Sequence, residues 1–178
     1  MRRVVLTGGS GAGKTALLNE LRSLGYATMG DSARLIIANR LRQNQTARSG
    51  PLEFAREVLR QDVENYPCCM LQTGLVFYDR GVVDALCMLD QVAPLEQREL
   101  EAWLVKYAYH PQVFTFPPWE DIYTNDAERD QSFSESEQAH ARVTSWYRKN
   151  GYELIEVPRV SVRQRSEHVL RELGQCAA

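Results

Sequence analysis

The chain has 178 residues, 44% hydrophobic and 25% charged, which suits one globular domain over 1–178 with a sizeable core. Its net charge of −2 offers no footing for nucleic acid or an anionic membrane surface, and no apolar run is long enough to span a bilayer. The four cysteines (Cys68, Cys69, Cys87, Cys176) lack metal-ligand spacing, and no signal peptide is expected before the first strand, so reduced packing thiols in a cytoplasmic protein are predicted.

Residues 3–7, Arg-Val-Val-Leu-Thr, form a β-branched apolar run that predicts a buried strand. Gly8, Gly9, Ser10, Gly11, Ala12, Gly13, Lys14 and Thr15 follow, and they fit G-x-x-x-x-G-K-[ST], the phosphate-binding loop. Leu17, Leu18, Leu21 and Leu24 then recur at helical spacing, which predicts a helix over 13–24 stopped by Gly25. Strand, glycine loop and helix is the setting the motif requires. Glycines admit positive φ and let the backbone approach an anion, and successive N–H groups form a nest backed by the positive end of the helix. Lys14 supplies a mobile charge for β- and γ-phosphates, and the Thr15 hydroxyl supplies an oxygen for Mg²⁺.

Residues 26–29 are a short second strand ending at Gly30-Asp31, and a helix from Ser32 carries Leu35, Ile36 and Leu41 on one side. A polar loop over 43–51 leads to an amphipathic helix over 52–66, closed by Pro67. The next strand is 75–79, Leu-Val-Phe-Tyr-Asp, followed by helices over 83–89 and 95–107. A fourth strand at 113–116 is cut off by Pro117-Pro118, and an acidic irregular stretch over 119–132 precedes a helix over 134–150. A fifth strand over 153–157 and a helix over 162–173 complete the pattern. This alternation predicts an α/β three-layer sandwich with a five-stranded parallel sheet. Ligands of such sheets lie at the carboxyl ends of the strands, where Thr7, Met29 and Tyr78 all deliver the chain.

Asp79, behind four apolar or aromatic residues, is a Walker B candidate for Mg²⁺, directly or through water; the alternative is an acid capping the next turn. Arg80 can meet phosphate oxygens bidentately or form a surface ion pair. Asp31 can act as general base toward a phosphoryl acceptor, assist the metal, or N-cap the helix at Ser32. Arg34 either faces the same acceptor or is solvated. Arg129 first, and Arg142 second, are arginines able to steady a transferring phosphoryl group; an exposed charged segment explains both equally well. His110 and His140 read as structural. Trp119 packs beneath this segment or shelters the acceptor pocket.

The narrower loop Gly8-x-x-Gly11-x-Gly13-Lys14-Thr15 is similar to that of nucleoside and nucleotide kinases. Three further stretches join it: Asp79-Arg80-Gly81-x-x-Asp84, Asp126-x-x-Arg129, and Tyr147-x-x-x-Gly151-Tyr152-Glu153-Leu154-Ile155-x-Val157-Pro158. Together they resemble the small single-domain AAA-type predicted ATPases related to the nicotinamide-riboside-kinase domain of the bacterial NAD regulator. That resemblance, over almost the whole chain, implies a kinase-like P-loop fold with strand order 2-3-1-4-5 and Mg-ATP as nucleotide. It further implies a lid at about 117–150 bearing Arg129, and a turn over 158–163 near the adenine. Asp31 stands where many members carry Glu.

The expected function is transfer of a phosphoryl group from Mg-ATP to a small, nucleoside-like metabolite. The alternative is an ATP-hydrolysing switch acting on a protein partner. No water-positioning Gln or Glu follows Asp79, which disfavours the switch, and no Asn-Lys-x-Asp stretch selects guanine. With one helix after strand five, a ring-forming AAA+ motor with its helical subdomain is not expected.

Overall fold

A computed structural model describes residues 2–67, 74–123 and 132–175. Five strands alternate with helices: β1 (Arg2–Gly8), α1 (Lys14–Ser23), β2 (Ala27–Met29), α2 (Ser32–Arg42), α3 (Pro51–Asn65), β3 (Leu75–Asp79) and α4 (Val82–Asp90). The chain continues with α5 (Gln97–Lys106), β4 (Gln112–Phe116), a 3₁₀ turn (Glu120–Ile122), α6 (Phe133–Lys149), β5 (Glu153–Glu156) and α7 (Val162–Glu172). The strands form one sheet in the order β2-β3-β1-β4-β5, every pair parallel. This is the predicted order. No described helix is long and apolar enough to cross a membrane.

Period-two alternation along the strands builds a core on each face. Val4 and Leu6 of β1, Phe77 of β3 and Phe114 of β4 pack with Leu17 and Leu21 of α1 and Val169 and Leu170 of α7. Val5, Val76, Tyr78 and Val113 face the other way, onto Phe54 and Val58 of α3, Val83 and Leu86 of α4, and Tyr147 of α6. The result is the three-layer sandwich. Helix starts follow capping chemistry: Pro51 opens α3, and a Ser132/Glu135 capping box opens α6.

The boundaries that differ from the sequence pattern have local causes. α1 starts at Lys14 rather than Gly13 because Gly13 is left-handed, with φ 83°. α5 starts at Gln97, two residues later than its apolar spacing predicts, because the Leu95 N–H donates to Asp90 Oδ1 at 2.8 Å and holds the preceding turn open. The second half of α6, with Val143, Trp146 and Tyr147, belongs to the core.

Candidate active site

The loop between β1 and α1 takes its shape from glycines under steric compulsion. Gly8, Gly11 and Gly13 have φ of 130°, 76° and 83°. A Cβ on Gly8 would lie 2.5 Å from the Phe116 carbonyl oxygen, and one on Gly13 would lie 2.5 Å from Nη1 of Arg165. α6 closes over the loop from above: Ser136 Oγ donates to the Ser10 carbonyl at 2.8 Å, and a Cβ on Gly9 would meet that hydroxyl at 2.3 Å. Lys14 is buried, and its ammonium donates to the carbonyls of Gly9 at 2.7 Å and Gly8 at 3.3 Å. Burial first, and the nearby Arg80 cation second, bring its pKa down to about 8.

Thr15 and Asp79 meet across the loop, with Thr15 Oγ1 donating to Asp79 Oδ2 at 3.2 Å. Asp79 is 3% exposed, and its other oxygen, Oδ1, is buried with no partner among the described residues. Burial pushes this carboxyl above its ordinary value, opposed by Lys14. An orphaned carboxylate oxygen beside a hydroxyl oxygen is a hard donor pair that fits Mg²⁺.

Arg80 adopts the left-handed conformation, with φ 67°, unusual for a residue with a side chain. Its N–H donates to the Leu6 carbonyl at 2.9 Å, and its guanidinium turns back across the cleft. There Nη1 pairs with Asp31 Oδ2, and Nη2 donates to the Gly8 carbonyl at 3.2 Å. Burial works against its charge, but Asp31, Asp79 and Asp84 outweigh that and hold the guanidinium protonated. The ion pair that was its alternative reading does form, with Asp31 as partner, and both residues line one cavity. Asp31 takes the N-cap position that was one of its readings, and it also holds Arg80. Oδ1 caps α2 by accepting the N–H groups of Ala33 at 2.9 Å and Arg34 at 3.3 Å, while Oδ2 holds Arg80.

A cavity of about 410 Å³ runs from the glycine loop past Asp31, Asp79 and Arg80 into a chamber between α2, α3, α4 and α6. Ile37, Phe54, Val58 and Met88 form apolar wall, and Arg34, Arg142 and Asp62 reach the same space. Arg129 lies outside the described residues. Trp119 is not part of the lining; its ring faces the Arg165 guanidinium at 5.2 Å, on the Gly13 side of the loop.

Three participants carried no assigned role in the sequence reading. Asp84 accepts from the Thr7 hydroxyl, from Tyr147 Oη at 2.5 Å and from the Gly81 N–H at 3.2 Å, thereby joining β1, α4 and α6 beneath the loop. Burial raises its pKa. It stood in the motif as a letter only. Asp62 interrupts the buried stripe Phe54, Ala55, Val58, Leu59 of α3, and an acid at a core-facing helical position was a readable signal. Ser136 left no trace in the pattern of its helix.

A family model described as an AAA domain matches residues 3–165. The chain belongs to this AAA domain family. No curated protein matches the sequence of this AAA domain. Solved structures similar to it include the NadR protein in complex with NR, at TM-score 0.70 and 15% identity, over 97% of this chain and 50% of that one. Deoxyadenosine kinase from M. mycoides with bound dATP matches at TM-score 0.64 and 12% identity, over 98% of this chain and 100% of that one. Thymidylate kinase from Ehrlichia chaffeensis matches at TM-score 0.63 and 12% identity, over 97% and 98%. At such identities these likenesses establish the fold, that of P-loop kinases.

Proposed function

We propose that this protein is a Mg-ATP-dependent phosphotransferase whose acceptor is a small, nucleoside-like metabolite. One observation carries the reading: the cavity that begins at the phosphate loop continues into a walled chamber, with the Asp31–Arg80 pair at the junction. Hydrolysis of ATP requires no such chamber. The kinase names of similar folds support the same choice, namely deoxyadenosine kinase and thymidylate kinase.

In this reading the amides of residues 9–15 and Lys14 hold the triphosphate, and Thr15 with Asp79 holds Mg²⁺. Bound Mg²⁺ supplies charge neutralisation to the phosphate oxygens. An acceptor oxygen attacks the γ-phosphorus while the bond to the β–γ bridging oxygen breaks, and ADP leaves with that electron pair. The acceptor hydroxyl's proton passes to Asp31. Arg80, and Arg129 from the segment before α6, steady the charge spreading over the equatorial oxygens. A lid at about 117–150, as the family resemblance implies, would bring Arg129 to the site.

ADP release from Mg-ATP, screened with nucleosides, nucleotides and vitamin-like alcohols against a Lys14→Ala blank, tests the proposal. Release that depends on one acceptor identifies a kinase and its substrate together. Release indifferent to every acceptor replaces the proposal with the ATP-hydrolysing switch. Asp31→Ala with unchanged transfer would remove Asp31 from the base role.

A further inference from the structure

The walls of the chamber limit which acceptors fit, and the limiting group is Asp62. It is 6% exposed, on the face of α3 that carries Phe54 and Val58, and it lines the cavity. Among the described residues its one side-chain donor is Ser32, whose Oγ lies 2.5 Å from Oδ1. Ser32 in turn accepts from Asn65 Nδ2 at 3.1 Å, so its single proton is committed to Asp62. Oδ2 is therefore left to the cavity. A buried carboxyl served by one hydroxyl is under-satisfied, and burial pushes its pKa up to about 7 against the opposing Ser32 hydrogen bond and Arg80 charge. A structural carboxylate in a core would be ringed by donors, as Asp84 is.

The local geometry ties this group to the transfer site. Asp31 and Ser32 are consecutive, and they point to different partners: Asp31 to Arg80 at the phosphate end, Ser32 to Asp62 in the chamber. Beside Asp62, Ile37, Phe54 and Val58 give an apolar surface with one aromatic ring. An acceptor that fills this space offers one hydroxyl at Asp31, a second hydrogen-bond donor at Asp62, and an apolar or aromatic body between the helices.

Resting on the phosphotransferase reading, we propose that Asp62, held by Ser32, is an acceptor-binding residue that takes a second donor of a nucleoside-type substrate on Oδ2. The donor is a sugar hydroxyl or an N–H of the base, the two sources of the same chemistry on such a molecule. Asp62 is thereby a specificity determinant, and removing it removes the penalty for lacking that donor.

The test pairs ligand deletions with residue deletions on the full chain. Calorimetric binding without ATP compares the common ribonucleosides and their 5′-monophosphates with 2′-deoxy, 3′-deoxy and des-amino analogues. For wild type, one deletion weakens binding roughly tenfold or more, as expected for a donor lost opposite a carboxylate. In Asp62→Ala the same deletion costs less than about twofold; Asp62→Asn, which still accepts from Ser32, controls for folding. A deoxy analogue behaving this way assigns the sugar, and a des-amino analogue assigns the base; both support the proposal. Equal deletion costs in wild type and Asp62→Ala, or no binding by any panel member, overturn it. ADP release from an acceptor whose binding ignores Asp62 would sink this proposal and spare the kinase reading. Asp62-dependent binding with no ADP released by any bound ligand would do the reverse.

Discussion

Asp62 also makes a prediction about stability that requires no substrate. Its carboxyl is raised from an ordinary 3.8 to about 7, chiefly by burial, with Asp84 and Asp31 adding to the shift and Ser32 and Arg80 opposing it. A carboxyl with a raised folded-state pKa binds its proton more tightly folded than unfolded. Its contribution is therefore fully present below about pH 4 and is lost as pH rises toward 7. At about 1.36 kcal/mol per pKa unit, a rise of about three units costs the free protein on the order of 4 kcal/mol above neutrality. Asp62→Asn keeps the shape and an acceptor for Ser32 but has no charge to bury. Urea unfolding of wild type and Asp62→Asn at pH 4.5, 6 and 8, with no added ligand, isolates the effect because titrating groups that do not feel Asp62 cancel in the difference. The variant should be close to wild type at pH 4.5. By pH 8 it should be more stable by a few kcal/mol, which also raises the melting temperature by several degrees. A stability difference that is flat with pH, or that falls toward pH 8, would refute the view of Asp62 as an under-satisfied buried acid.

Other perturbations address the loop and its supports. Tyr147→Phe removes a 2.5 Å donor from Asp84 and should cost about 1–3 kcal/mol in urea unfolding, with Thr7→Val non-additive to it because both hydroxyls serve one carboxylate. Gly13→Ala must adopt φ 83° and place its methyl 2.5 Å from Arg165, so titration with a fluorescent ATP analogue should show affinity reduced by tenfold or more. Asp79→Asn removes the orphaned Oδ1 as an anionic donor; the Mg²⁺ concentration giving half-maximal ADP release should rise roughly tenfold or more, while the folded protein persists because a buried charge has gone.

Much of this architecture was legible before any coordinates. The alternation of apolar strands with amphipathic helices leaves few parallel topologies, and Gly8 to Thr15 carries its chemistry in its letters. What stayed hidden depends on directions that no periodicity encodes. Asp31 was legible as a cap and as an acceptor-site acid. That the second oxygen of the cap holds Arg80 was not legible, because it follows from the left-handed backbone of Arg80, which sends the guanidinium back across the cleft. Asp84 was visible only as a spacing from Asp79, because its role is set by hydroxyls from Thr7 and Tyr147, which lie 77 and 63 residues away in the chain.

Asp62 is the instructive case, since its signal was present and simply has two meanings. An acid on the core face of a helix is either fully paired or waiting for a partner, and only the donor count around it separates the two. Asp84, with three donors, is paired; Asp62, with one, faces a cavity. The two acids belong to one site yet do opposite work. Asp84 spends its hydrogen-bonding capacity on fixing the loop and α6, which keeps the phosphate end rigid. Asp62 keeps capacity in reserve, at a cost in stability, where the molecule meets something that varies. A phosphate loop fits almost any triphosphate, so discrimination between acceptors must come from the chamber, and an unsatisfied buried acid is the kind of group that can supply it.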